Sequence, residues 1–386
     1  MPHPNRRLLY WRITLLRLSE IIVRSAGAGL KLIDPAAGTM PAGHNGLKHD
    51  PETPVRNTGQ WSIIFFKAYE ISGERRFYDA GVRTISHLLT RDARPMGATF
   101  WHRKNPYKDA CNGVLGTAFS TEALMVAHRA TGDERYRSIA AEVFRLHPFD
   151  SSACIWKRVN VDGSYPRGRL YSFDLTFNHQ LWLAMAGSMI DPEAETDVGT
   201  TVRSFLDGLL RTRSFSVSSV GRIIDEVFTT GNWGDRAITL VRLGHRSISR
   251  RQRRYMVQKE TAYQTYSLFA FARIAENIPN HALWKSRKIG RALAFINTQR
   301  FVSLVSEKRD IYWWRPIGFE QAKIIQVFQN AFEQGVLRSP EEWVSMEIDY
   351  HFDVRTDLLN KNSVDRNNMS ARMYEATFLS DVEITL

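Results

Sequence analysis

Cysteine is almost missing from this chain: Cys111 and Cys154 are the only two in 386 residues. Two thiols build neither a disulfide framework nor a metal cluster, and such sparing use fits a reducing compartment. Long apolar runs are also lacking. The stretch 6–24 is apolar but interrupted by Arg12, Arg17, Glu20 and Arg24, which is too polar for a bilayer span. It has no compact apolar block and no small-residue cleavage site, so no signal peptide is recognised and the chain reads as cytoplasmic, with secretion left open if the N-terminus is incomplete. Residues 1–30 read instead as an amphipathic helix that packs on or closes a single domain, 1–386, with weak membrane-surface contact through 6–24 as a secondary reading.

Several signatures of chemistry are absent as well. There is no phosphate-cradling glycine loop, no nucleotide fingerprint, no zincin-type His-Glu-x-x-His and no nucleophile elbow. Kinase, dehydrogenase and serine-hydrolase readings are therefore poor. No zinc-finger spacing, RNP-like strand or heptad zipper occurs, so a nucleic-acid partner is not expected. No residue pattern supports a cofactor or a metal.

Basic charge and aromatic rings are what the chain has in quantity. The formal net charge is +12 and the pI about 9.8, which calls for an anionic partner: nucleic acid, an anionic membrane surface or an acidic polysaccharide. The basic residues are dispersed except at Arg250-Arg251-Gln252-Arg253-Arg254, a run that reads as a solvated loop. With 10 Trp, 13 Tyr and 21 Phe the chain can fill a large core and still line a groove with flat rings, on which sugars stack.

The order along the chain is a repeat of helix, short polar turn, helix. Residues 59–72 precede 74–90, and 113–131 precede 133–147; further copies follow at 177–210, 262–297 and 318–347. In both early turns, Ile71-Ser72-Gly73-Glu74-Arg75 and Ala130-Thr131-Gly132-Asp133-Glu134-Arg135, glycine ends one helix and acidic residues open the next. The first helix of each pair is apolar and the second amphipathic at 3.6 spacing. Inner apolar helices ringed by outer amphipathic ones predict an all-α fold, an (α/α)6-type toroid of hairpins, with an open solenoid as the alternative. The N-terminal helix and 366–386 are the expected closing pair. Connections at 36–58, 92–112, 148–175, 216–236 and 302–317 should open on one rim, where long loops carry function.

The residues best suited to chemistry are Asn178-His179 and, some eighty residues later, Tyr263 and Tyr266. A proton beside a sugar carboxylate is weakly acidic until that carboxylate is neutralised by an amide or a cation. Asn178 is the candidate neutraliser, His179 the base, and Tyr263 or Tyr266 the acid that protonates the departing glycosidic oxygen. The plainer alternative is that His179 caps or packs the first turn of an inner helix.

Three further stretches are candidate substrate contacts. In 99–113, Trp101, His102, Arg103 and Lys104 gather with Asp109 and Asn112 ahead of an inner helix, a cation-and-ring set that suits a charged sugar. In 49–61, Arg56 and Asn57 follow two loop-stiffening prolines, Pro51 and Pro54, with Arg56 also placed to pair with Glu52 or Asp50. In 310–319, Tyr312, Trp313 and Trp314 stand beside Arg315 as a stacking platform. Asp174, Trp182, Trp233 and Lys259 complete the candidates.

Phe177-Asn178-His179-Gln180-Leu181-Trp182 resembles the Asn-Asn-His-x-x-Trp segment of alginate lyases with (α/α) toroid folds, and is similar to the Asn-His motif of heparinase-type lyases. Tyr263-Gln264-Thr265-Tyr266-Ser267-Leu268 resembles the Tyr-x-x-Tyr-Ala-Leu run that holds the catalytic tyrosine of those enzymes. The resemblance implies a polysaccharide lyase acting on an acidic oligo- or polysaccharide by β-elimination. It covers about a dozen residues. Phe177 departs from it by replacing the first Asn, and Lys259 stands near the position of an arginine that often precedes the tyrosine. The stretches 49–61 and 99–113 look similar to six-hairpin proteins found with polysaccharide and glycan genes. That scaffold carries two alternatives: glycoside hydrolysis of the unsaturated uronyl hydrolase type, which needs two carboxylates from among Asp50, Asp109, Asp174 and Asp235, or non-catalytic glycan binding.

Overall fold

A computed structural model describes residues 15–167, 172–211, 215–224, 250–307, 315–332 and 334–385. A short strand β1, Leu15–Arg17, leads into α1, Leu18–Gly29. Two hairpins follow: α2 Val55–Ser72 with α3 Arg75–His87, and α4 Gly113–Thr131 with α5 Glu134–Arg145. Next come a two-residue ribbon, β2 Phe149–Asp150 with β3 Ile155–Trp156, and the pair α6 Phe177–Ile190 and α7 Asp197–Arg211. Then α8 Arg250–Ala262 runs into α9 Gln264–Asn277, and α10 Arg287–Ile296 and α11 Gln299–Glu307 follow. The last pair is α12 Ile317–Val327 and α13 Pro340–His351, followed by the ribbon β4 Phe352–Asp353 with β5 Leu358–Leu359. The chain finishes with α14 Arg366–Ala371, a 3-10 segment Arg372–Phe378, and β6 Glu383–Thr385.

The inner elements form a closed circle. Helix α2 packs on α4, α4 on α6, α6 on α9, α9 on α12, α12 on the segment 372–378, and that segment with α14 returns to α2. The outer helices α3, α5, α7, α10 and α13 each pack on the inner helix they follow, and α1 covers α2 and 372–378. This is the (α/α)6 toroid. Its sixth hairpin joins the two ends of the chain, and β1 pairs antiparallel with β6, Leu15 opposite Thr385.

Local sequence explains the two classes of helix. In α6 every residue except His179 is buried, as a helix enclosed on all sides requires. In α10 only Ile289, Ala292, Leu293, Phe295 and Ile296 are buried, an i, i+3, i+4, i+7 stripe facing inward with Phe295 beside it. The two early turns share one geometry. Gly73 and Gly132 adopt left-handed φ of 70° and 72°, which glycine reaches without strain, and their N–H groups donate to Tyr69 O and His128 O.

Several boundaries differ from the sequence reading. Pro54 starts α2 at Val55 rather than 59, because its fixed φ suits a helix entry. The basic run 250–254 opens α8 instead of a loop, and α11 occupies the front of the expected connection 302–317. Strand geometry holds 15–17, so the first helix begins only at Leu18. The apolar face of α1, with Leu18, Ile21, Ile22 and Ala26, is buried against the ring. No helix among the described residues is long and apolar enough to cross a membrane.

Candidate active site

Five of the inner elements, and the residue just ahead of the sixth, line one pocket at the heads of the helices. Arg56 and Gln60 come from α2, Leu115 and Phe119 from α4, Asn178 and His179 from α6, Tyr266 from α9, and Asn368 and Arg372 from the closing segment. Tyr263 at the α8–α9 junction, Arg315 just ahead of α12, and Asn45, Lys48, Arg103 and Asn112 on connections complete the wall. Helix N-termini carry partial positive charge and unsatisfied N–H groups, so their convergence favours an anion. The side chains agree: the described lining holds five cations and several amides but no carboxylate.

His179, the one residue of α6 that escapes burial, faces this pocket with its ring fixed from behind. Its Nδ1 lies 2.8 Å from Asp174 Oδ2. Burial pushes the Asp174 carboxyl up. The charge and hydrogen bond of His179, with N–H groups of Thr176 and Val114 donating to it, outweigh burial and hold it at about 2. An ionised Asp174 requires a proton on Nδ1, which leaves Nε2 as the basic nitrogen.

The floor beneath the tyrosines is a buried charge network. Arg315 and Arg372 both donate to Glu320 Oε1 at 3.2 Å, Arg372 also pairs with Glu375, and Thr265 donates to Glu320. Arg315 lies over the rings of Tyr263 and Tyr266, 4.9 Å from each centroid, and Arg372 is 5.5 Å from that of Tyr266. Burial raises the Glu320 and Glu375 carboxyls, the latter to about 8 against the pull of Arg372. Burial likewise lifts the Tyr266 phenol well above its ordinary range.

The sequence candidates divide. Asn178, His179, Tyr263, Tyr266, Arg56, Arg103, Asn112 and Arg315 meet at the pocket. Asp174 stands behind His179. Arg56 pairs with Glu52 at 2.5 Å and lines the pocket as well. His102, 2 % exposed, is sealed behind α4 beside Ser120, and burial with Arg56 and Arg103 nearby pushes it down to about 3. Asn57 is buried and donates to Pro41 O, and Trp182 lies in the core stacked on Tyr266 at 4.4 Å. Trp101 bonds its indole N–H to Arg103 O, Lys104 is exposed off the lining, and Lys259 lies 5.7 Å over the outer face of Tyr263. Asp109 accepts the N–H groups of Cys111 and Gly113, so it caps the entry to α4 in place of Asn112, whose own φ is left-handed at 60°. Trp233, Asp235, Tyr312, Trp313 and Trp314 lie outside the described residues.

Asn45, Lys48, Gln60, Asn368 and Arg372 were not anticipated. Gln60 is a buried polar residue at the head of a largely apolar helix, and that mismatch was its only available signal, whereas Asn368 lies in the short polar helix α14, where its burial left no trace in the sequence. Among the described residues nothing pairs with Gln60 Oε1 or Asn368 Oδ1, which leaves both acceptors for ligand hydroxyls. No group of three or more His, Cys, Asp or Glu side chains suited to a metal ion occurs among the described residues.

The fold is shared with sugar enzymes of low sequence identity. A sugar epimerase from a ruminal bacterium superposes with a TM-score of 0.62 at 13% identity, over 95% of this chain and 100% of its own. An unsaturated glucuronyl hydrolase specific for heparin gives 0.57 at 11%, over 93% and 95%. Cellobiose 2-epimerase from Bacillus thermoamylovorans gives 0.60 at 12%, over 93% and 98%. No family model matches the sequence. Archaeal glycosylation protein Q of Haloferax volcanii, however, is 38% identical over 379 residues, spanning 96% of this chain and 99% of its own. At that identity and coverage the chain belongs to the archaeal glycosylation protein Q family.

Proposed function

We propose that this protein modifies a uronic-acid-containing glycan by removing the proton next to the sugar carboxylate, with β-elimination as the outcome. The observation that carries the reading is the oriented His179–Asp174 pair opening on a pocket whose described wall is cationic and free of carboxylates. Asn178 and the floor arginines lower the cost of the carbanion-like transition state. His179 Nε2 takes the proton, and Tyr263 protonates the oxygen that leaves as the double bond forms. Tyr266 is less suited to that role, being 4 % exposed and pinned between Trp182 and the arginines. The setting of a glycosylation-protein family and a toroid shared with sugar enzymes is consistent with a glycan substrate.

Glycoside hydrolysis finds less support. It needs two carboxylates across a cleft, whereas among the described residues Asp109 is spent on a helix cap, Asp174 on His179, and Asp50 on Asn105, Arg103 and Lys108, with Asp235 outside the described residues. The test is incubation with a panel of uronate-containing oligosaccharides. Elimination yields ultraviolet absorbance from an unsaturated uronate, lost in His179→Ala. Reducing ends without absorbance would establish hydrolysis instead. Deuterium uptake beside the carboxylate without either would keep the proton abstraction and replace elimination by epimerisation.

A further inference from the structure

The two faces of the ring expose different side chains. The connections that run from an outer helix to the next inner helix reach the face where the pocket opens. Leu47 and Val364 on two of them are 51 % and 53 % exposed, Tyr107 on a third is 96 % exposed, and Tyr165, Val220 and Val354 are exposed on the same face. On the opposite face the hairpin turns expose Ile71 and Leu337 among the large apolar side chains described. Single apolar side chains at a surface are ordinary, whereas a set gathered on one face marks an interaction site.

These tips stand on firmly held turns. Asp365 accepts the N–H groups of His44 and Gly46 at 2.8 and 3.1 Å, and the His44 ring lies 3.1 Å from Val364 O, so the segments bearing Leu47 and Val364 are joined. Asn105 donates to Asp50 at 3.0 Å and the Lys104 N–H to Pro51 O at 3.0 Å, which ties the Tyr107 turn to the same loop. The Tyr107 N–H donates to the Asn105 side chain, and its ring projects into solvent. Holding that ring in water forgoes the free energy its burial would release, and contact with an apolar layer recovers it.

Charge on this face is one-sided too. Nine Lys and Arg side chains are exposed on the connections and at the head of α14, against three carboxylates, Asp34, Asp92 and Asp162. Of the nine, Arg91, Lys104, Arg167 and Arg366 have no carboxylate partner among the described residues. On the opposite face Glu74, Glu134, Glu193 and Glu195 are exposed, and Arg75, Arg76 and Arg135 pair with Asp79, Glu74 and Asp133.

We propose that the face around the pocket mouth docks on an anionic lipid bilayer, with Leu47, Tyr107 and Val364 entering the headgroup region and the pocket opening toward the membrane. A soluble polyanion would answer the cations but offers nothing to leucine and valine tips, and a neutral apolar partner would leave the cations unanswered. Tyrosine suits the boundary, since its ring is apolar and its hydroxyl stays wet. Such docking is independent of the reaction proposed above.

Flotation of the full chain with vesicles tests it, using phosphatidylcholine alone and phosphatidylcholine mixed equally with phosphatidylglycerol. At low salt the anionic vesicles should bind about tenfold more tightly than the neutral ones, and added salt should weaken the binding. Lys104→Gln with Arg366→Gln should cost roughly fivefold in affinity per charge removed. Leu47→Ser with Tyr107→Ser should weaken binding while keeping its salt dependence, and Ile71→Ser with Leu337→Ser on the opposite face should leave it unchanged. All six positions are exposed, and thermal melts confirm that the variants fold. Absence of binding to anionic vesicles, equal binding to both kinds, or binding that survives both rim variants overturns the proposal. Capture of heparin or an oligonucleotide by this face without vesicle binding also overturns it, and makes the face a polyanion site.

Discussion

Gly113 and Asp174 are packed so closely that a methyl group on the glycine would sit 1.9 Å from the carboxylate oxygen that holds His179. Gly113 also has a φ of 64°, a conformation that side chains other than glycine adopt at a cost. Gly113→Ala should therefore destabilise the fold by about 2 kcal/mol or more and displace Asp174. A melting curve and an initial rate, taken together, check this. Loss of stability with full activity would show that His179 does not depend on this carboxylate.

Asp174→Asn removes the charge while keeping the shape. The amide can present its N–H to Nδ1 and so favour the tautomer with the proton on Nε2, the wrong one for a base. Turnover should fall roughly 100-fold or more, with substrate affinity nearly unchanged. Steady-state kinetics separating kcat from KM decide it. A purely structural Asp174 would instead lower the melting temperature and leave kcat alone.

Two buried carboxyls give the stability opposite dependences on pH. Asp174 is held at about 2 against an ordinary 3.8, so its contribution of about 2 kcal/mol is complete above pH 3.8 and vanishes as pH falls through 2. Glu375 is raised from an ordinary 4.5 to about 8, so its contribution is complete below pH 4.5 and is lost as pH rises through 8. Urea unfolding at pH 6 and pH 9 should show a drop in stability that Glu375→Gln reduces. An identical drop in the variant would mean that Glu375 is ionised throughout.

Asp109→Asn separates elimination from hydrolysis. Asp109 accepts two backbone N–H groups at the entry to α4, so the variant should lose about 1 kcal/mol of stability. Its turnover should stay within about twofold of the parent. A rate collapse with an intact melt would give Asp109 a catalytic role and revive the hydrolase.

The ring was legible because enclosure leaves a compositional trace. Helices such as α6 are apolar on every side, those such as α10 on one side only, and the glycine turns mark where one gives way to the other. The Asn178-His179 and Tyr263–Tyr266 segments were legible because polar groups at the head of an apolar helix stand out. The charge pairs were harder to see. Arg372 and Glu375 look like ordinary surface charges of a short helix, and only closure of the ring shows that they sit with Glu320, some fifty residues earlier, in one buried network. His102 and Asn57 stand in polar-rich stretches that favour the rim, whereas His102 packs behind α4 against Ser120 and Asn57 is buried in the first turn of α2, donating to Pro41 O.

Closure by the last segment sets a timetable for the nascent chain. Asn368 and Arg372 leave the ribosome some 190 residues after Asn178 and His179, and until they dock against α2 one side of the pocket is missing. A partly synthesised polypeptide therefore carries Asn178 and His179 without the opposite wall, and the pocket is completed only when the circle shuts.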